Sequence, residues 1–198
     1  QIFSLFTFPT ITRFFLANNR NMFRVFAFFN LLCSVLALTE NCRNKTYPST
    51  DCCSGEISLD PNMTAIEDYA FYGCSGLTGS LIIPDSVTSI GNAAFYNCFG
   101  FTGSLIIPNS VTNIGDSAFA FCTHFTGSLV IPDSATEIRD GAFSYCYSLT
   151  GSLVIPDSVT YIGSQAFYYS AFTGTLTIPS SVTTIGSFAF EGCYGFTN

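Results

Sequence analysis

Positive charge is scarce in this chain: only 6 of its 198 residues are Lys or Arg, and Arg13, Arg20 and Arg24 are half of them. From Glu40 onward, Arg43, Lys45 and Arg139 stand against all 13 acidic residues. Nucleic-acid binding draws on clustered cations that neutralise phosphates, and that footprint is missing, so no nucleic-acid partner is expected. Histidine occurs once, at His124, where other stretches of similar sequence carry Gly or Ser. A Ser-His-Asp site would have to stand on a variable corner, so no enzyme is expected and no catalytic residue is assigned. Long apolar runs are also lacking. Although 48% of the residues are hydrophobic and 22 are Phe, no run after residue 38 approaches the roughly 20 residues that span a bilayer.

The apolar residues are instead spaced by a repeat. LTGSLIIPDSVTSIGNAAFYNCFG begins at Leu77 and returns with few changes from Phe101, Phe125, Leu149 and Phe172, after a divergent copy from Cys53 to Gly76. Successive starts are 24 residues apart, except for one step of 23 between Leu149 and Phe172. A fixed period in this range marks a solenoid, in which each unit packs only on its neighbours. Phe196-Thr197-Asn198 opens another unit without a polar cap, which predicts coils beyond residue 198.

Each unit divides into three sides. Leu81-Ile82-Ile83 and its copies, bounded by Gly-Ser and Pro-Asp-Ser, read as a short strand with its first and third residues inward. Val87-Thr88-Ser89-Ile90 reads as a second extended segment, and Gly91 is expected to relieve backbone strain at the corner. Ala94 to Cys98 is too short for a regular helix and reads as a helical or 3₁₀ turn. The row Phe71, Phe95, Phe119, Phe143, Phe167 and Phe190 is expected to stack through the core, because a single coil cannot bury enough surface to order itself. The missing residue of the fifth coil is expected to be absorbed in the corner after Phe167.

Upstream of the repeats, residues 1–21 begin without Met and read as a segment preceding the true start at Met22. Residues 22–38 combine Arg24, an apolar run and Val35-Leu36-Ala37, the pattern of a signal peptide. An uncleaved signal anchor, with Arg13, Arg20 and Arg24 held inside, is the competing reading. Either one exports the repeats, and this or a membrane segment beyond residue 198 is the expected route to the membrane. Asn44 and Asn62 begin N-glycosylation sequons. Residues 39–55 contain Cys42, Cys52 and Cys53 and read as a stapled N-terminal cap, with Cys42 paired to either of the adjacent cysteines.

With L-x-I-P, V-T-x-I-G and A-F-x-x-C in one period, residues 53–198 resemble the BspA-type, or Treponema-type, leucine-rich repeat proteins. The resemblance implies an α/β-type solenoid: a right-handed coil of about six 24-residue units with mostly short parallel strands. It also implies a secreted or cell-surface protein that adheres to other proteins. The Gly79-Ser80 pair and its copies lengthen the family's usual unit and leave the strand register open. The T-G and I-P pairs resemble plant-type leucine-rich repeats as well, although the spacing fits them poorly.

Among the residues that could carry chemistry, Asp85, Asp133 and Asp157 share a column with Asn109 and Ser180. They read as turn residues that bond their own backbone rather than as a calcium column. Cys74, Cys98, Cys122, Cys146 and Cys193 recur singly, with Ser170 in the fifth coil, and structural zinc sites prefer closely paired cysteines. No metal or other cofactor is therefore expected, and all five read as buried thiols. The variable positions around the turn hold many rings: Tyr72, Tyr96, Phe99, Phe121, Tyr145, Tyr147, Tyr168, Tyr169 and Tyr194. They read either as a binding surface for a protein or other macromolecule, since Tyr joins a rigid face to a polar tip, or as a shield for the coil edge. The function expected is non-catalytic protein binding or adhesion. The alternative is the ectodomain of a leucine-rich repeat membrane receptor.

Overall fold

A computed structural model describes residues 54–197. The segments 1–21 and 22–38, and all of 39–55 except Ser54 and Gly55, lie outside the described residues. So do Cys42, Cys52, Cys53 and Asn44. The described chain winds as six coils carrying 12 strands of two residues each, every pairing parallel. It is a β-solenoid, and no helix occurs among the described residues.

The first strand position behaves as alternation requires. Leu81, Ile83, Leu105, Ile107, Leu129 and Ile131 are buried, whereas Ile82 between the first two is 76% exposed. Leu153 pairs with Leu129 and Ile82 with Ile106, in step with the repeat. The Gly-Ser insertion is absorbed just before these strands. There Gly103 pairs with Phe125 and Ser104 with Thr126, two residues out of step, and the chain swings back through Gly79, Gly103 and Gly127 at φ 78°, 78° and 83°. That left-handed backbone is open to Gly at little cost.

The third side corrects the expectation of a helical turn. The amides of Ala94, Tyr96 and Cys98 bond to carbonyls three residues back, whereas those of Ala93, Phe95 and Asn97 each reach a carbonyl of the next coil at 2.8 Å. This alternation satisfies the backbone donors of the side, yet it requires every fourth residue to turn left-handed. Ala93 and Asn97 have φ of 49° and 60°, and Ser117, Phe121, Tyr145, Gln165, Tyr169 and Phe188 repeat them. Such backbone costs a non-glycine residue on the order of 1 kcal/mol, and the bonds to the neighbouring coil hold it in place.

At the second corner the glycines serve a different purpose from the one expected. Gly91, Gly115 and Gly163 are not left-handed; a Cβ on them would lie 2.4 to 2.5 Å from atoms of the preceding coil. They permit close approach. Where Arg139 takes the place of this Gly, the corner sheet is interrupted. Ala65–Ile66, Ser89–Ile90 and Asn113–Ile114 form one three-stranded sheet, and Glu137–Ile138, Tyr161–Ile162 and Thr184–Ile185 another. Gly91, Gly115, Gly163 and Gly186 each donate to an Ile carbonyl of the coil before, a bond without counterpart at Arg139.

The core is a stack of rings. Successive members of the row from Phe71 to Phe190 lie 5.1 to 5.8 Å apart and nearly parallel. Phe101 and Phe125 form a second row beside it, with Phe101 edge-on to Phe95. In the fifth coil the residue lost lies between Ser170 and Phe172, where Ala171 alone replaces the pair Phe99-Gly100, and both corner strands keep their pairing.

The cysteine column has a hydrogen-bonding role that its spacing did not disclose. The Sγ of Cys98, Cys122, Cys146 and Cys193 donates to the carbonyl of the core Phe one coil earlier, at 2.9 to 3.3 Å. Ser170 makes the same bond to Phe143 at 2.7 Å, so Ser is a chemical equivalent here. These four cysteines are free and buried, but Cys74 is disulfide-bonded, which corrects the expectation of five thiols. None of the other described cysteines is its partner. Cys98, its counterpart one coil on, is free and gives its Sγ to the Phe71 carbonyl, so the bridge from Cys74 does not run along the column.

Burial pushes the Cys98 and Cys146 thiols up to about 12 and Cys122 well above its ordinary value. Their folded-state values exceed those of the unfolded chain, so stability is complete below about pH 9 and is lost as pH rises toward 12. Urea denaturation at pH 8 and pH 10.5 should show this loss, and C98S/C146S should flatten it. Under non-reducing conditions, labelling of Cys98, Cys122, Cys146 and Cys193 should appear only after unfolding, with Cys74 still silent. Arg139→Gly should join the two corner sheets and add about 1 kcal/mol of stability; hydrogen exchange at residue 139 should slow, and an unchanged rate would count against the close-approach argument.

Candidate functional site

The turn side of the solenoid carries a continuous line of aromatic rings. Tyr72 stacks on Tyr96 at 4.8 Å, Tyr96 meets Phe121 at 5.3 Å, and Phe121 stacks on Tyr145 at 4.4 Å. From Tyr145 the line spreads to Tyr147, Tyr168 and Tyr169, and Tyr169 reaches Tyr194 at 6.5 Å. Tyr69 begins the line with an edge contact to Tyr72 at 5.9 Å; the sequence reading missed it. Its signal was the left-handed column it shares with Ala93 and Gln165, invisible without backbone angles.

Phe99 is not part of this line. It lies beyond the Cys column, at the corner, and its ring neighbours His124 at 6.3 Å. His124 Nδ1 bonds to the Phe99 carbonyl and lies 3.3 Å from Thr123 Oγ1. Asn62, the sequon residue within the described part, is exposed, and its amide groups donate to Asp60 Oδ1.

One column of the ribbon lacks rings in its middle, although the line passes it through Phe121 and Tyr145. Tyr72, Tyr96 and Tyr168 share one column, but Ala120 and Ser144 take that position in the third and fourth coils. Two missing rings leave an open groove of about 320 Å³ whose lining includes Tyr96, Phe121 and Tyr145 together with Asp116 and Asp140. The two acids belong to a second polar column in which Asp68, Asn92 and Asp140 each cap the next coil. Asp68 Oδ1 accepts from the Asn92 amide at 2.6 Å, Asn92 Oδ1 from Asp116 at 2.8 Å, and Asp140 Oδ1 from Ser164 at 2.7 Å. The Asn109 column works likewise, with Asn109 Oδ1 accepting from the Asp133 amide at 3.3 Å, so it bonds the next coil rather than its own turn as expected. Among the described residues no group of three or more His, Cys, Asp or Glu side chains could hold a metal ion.

A different face carries the outward strand residues. Ile82, Ile106, Val130 and Val154 are 76%, 70%, 55% and 47% exposed, an apolar stripe flanked by Ser80, Ser104, Ser128 and Ser152. The strand alternation placed this position outward, but the sequence reading assigned it no role.

A family model described as BspA type leucine rich repeat region, in six copies, matches residues 43–172 and 125–198. The chain belongs to the BspA-type leucine-rich repeat family. This BspA-type chain is similar to a leucine rich cell surface protein from Faecalibacterium prausnitzii A2-165, at 35% identity over 72% of the chain, TM-score 0.55. It is also similar to a leucine-rich repeat protein of T. pallidum, at 30% identity over 56% of the chain, TM-score 0.50. The BspA-type chain spans 43% of the first structure and 50% of the second. No curated protein matches it. Leucine-rich repeat solenoids of this kind are typically scaffolds rather than catalysts.

Electrostatics within the ribbon follow from crowding. The Tyr96 phenol is raised above its ordinary value by burial and by Tyr72 and Tyr145, and that of Tyr169 by Tyr194. Crowding in the ribbon thus favours the neutral phenol at Tyr96 and Tyr169. A phenolate absorbance titration of the folded chain should have its midpoint above that of the unfolded chain; coincident curves would show that the rings do not cluster.

Proposed function

We propose that this chain is a cell-surface repeat module that binds a protein partner without catalysis, and that the aromatic ribbon is the surface it uses. The observation that carries the reading is the unbroken ring-to-ring contact from Tyr69 to Tyr194, with Tyr69, Tyr147 and Tyr194 exposed. Rings held in mutual contact lose little freedom on binding, and a Tyr edge brings both apolar area and a hydroxyl to an interface. The cell-surface description of the F. prausnitzii relative supports an extracellular setting, and the signal-like segment 22–38 is the export route this reading assigns. Protease treatment of intact cells should remove the repeats.

A second reading rests on the exposed stripe from Ile82 to Val154, since an apolar row on a parallel-strand face also invites a partner. Substitutions borrowed from the chain's own columns separate the two. Tyr72→Ser, Tyr96→Ser and Tyr168→Ser together copy what Ser144 already does, so the fold should persist. Partners captured from a panel of purified extracellular proteins should bind this variant at least tenfold more weakly, with I106S/V130S close to native. The reverse pattern moves the interface to the strand face.

A further inference from the structure

We propose that the groove between the third and fourth coils receives an arginine side chain presented by a protein partner; this rests on the reading of the ribbon as a protein-binding surface. The groove exists because Ala120 and Ser144 lack the ring that Tyr72, Tyr96 and Tyr168 supply. Its lining combines three rings, Tyr96, Phe121 and Tyr145, with two acids, Asp116 and Asp140, that stand one coil apart. One coil is about one strand spacing, 4.8 Å, a separation that a single guanidinium fork can bridge.

Among the described residues no cation pairs with these two acids. Arg139 is the one Lys or Arg among the described residues, set against eleven acids, and its guanidinium lies 3.4 Å from Glu137. Asp140 Oδ1 takes the Ser164 amide and, at 3.4 Å, the Tyr161 hydroxyl, and Oδ2 has no hydrogen bond. The carboxylate of Asp116 has none among the described residues. Their negative field is felt nearby: the Tyr161 phenol is raised, first by Asp140, then by burial, with Glu137 and Asp116 contributing. A cation entering the groove gains from both kinds of group, since rings attract cations through their quadrupole and carboxylates through charge. Arginine fits this combination better than lysine because its flat cation stacks on a ring while its edge donates in parallel to carboxylates.

The test uses the full chain and three probe peptides of sequence Ser-Gly-X-Gly-Ser, blocked at both ends, with X as arginine, lysine or the neutral isostere citrulline. Backbone NMR shifts should saturate with the arginine peptide and centre on residues 116–121 and 140–145. Lysine should bind at least fivefold more weakly and citrulline should cause no shift. D116N/D140N should weaken the arginine peptide at least tenfold without loss of fold, because Asn92 already occupies that column. A120Y/S144Y should abolish binding by refilling the column with its usual ring.

Equal shifts from citrulline, native affinity in D116N/D140N, or shifts confined to other coils would each overturn the proposal. Partner binding that falls in the Tyr72, Tyr96 and Tyr168 variant but is untouched by D116N/D140N would leave the ribbon as the interface and remove arginine from it. Peptide binding in the groove, with partner binding indifferent to the ribbon, would do the opposite.

Discussion

The spacing between coils governs this molecule: whatever a residue does, it does about 4.8 Å from its own counterpart in the next coil. Side chains that gain from such a neighbour are kept at each turn of the repeat. The core Phe rings, 5.1 to 5.8 Å apart and nearly parallel, are the clearest case. Cys and Ser serve because each can pass one hydrogen to the carbonyl below, and Asp and Asn because each can accept one from the amide above. The same spacing explains the corner glycines, where two backbones come closer than a Cβ permits.

Much of this was legible beforehand, for a physical reason. Inward positions such as Leu81, Ile83 and Phe95 are fixed by burial, and burial imposes a side-chain type that recurs every 24 residues. Strand direction, coil number and the place of the fifth-coil deletion followed. The turn side was harder. Ala93 bears no mark of a left-handed backbone, because the conformation is imposed by bonds to the next coil rather than by its own preference, and Asn97, Gly73 and Gly141 are among the few residues in these columns that hint at it. Cys74 likewise looks like its column mates, and only its disulfide distinguishes it.

The candidate site was legible in part. Eight of the nine rings first singled out, all except Phe99, do join in one ribbon, since variable outward positions on one side of a solenoid necessarily line up. The groove was not visible, because it is made by what Ala120 and Ser144 lack and is bounded by residues from two columns. The outward stripe of Ile82, Ile106, Val130 and Val154 was passed over for a related reason. A conservative exchange of Ile for Val looks like tolerance in a sequence, and only exposure shows it to be apolar surface facing water.

Arg139 divides the corner ladder into two blocks of three strands each, joined at that point by the turn side, the ring stack and the pairing of Gly103–Ser104 with Phe125–Thr126, but not by corner hydrogen bonds. A rod pulled from its ends fails where its cross-section carries fewest bonds, so under tension the coils should part between Ile114 and Ile138 before anywhere else. Asp116 and Asp140 sit on opposite sides of that seam. A ligand held by both would act as a splint across it, and the module would become hardest to pull apart while its partner is in place.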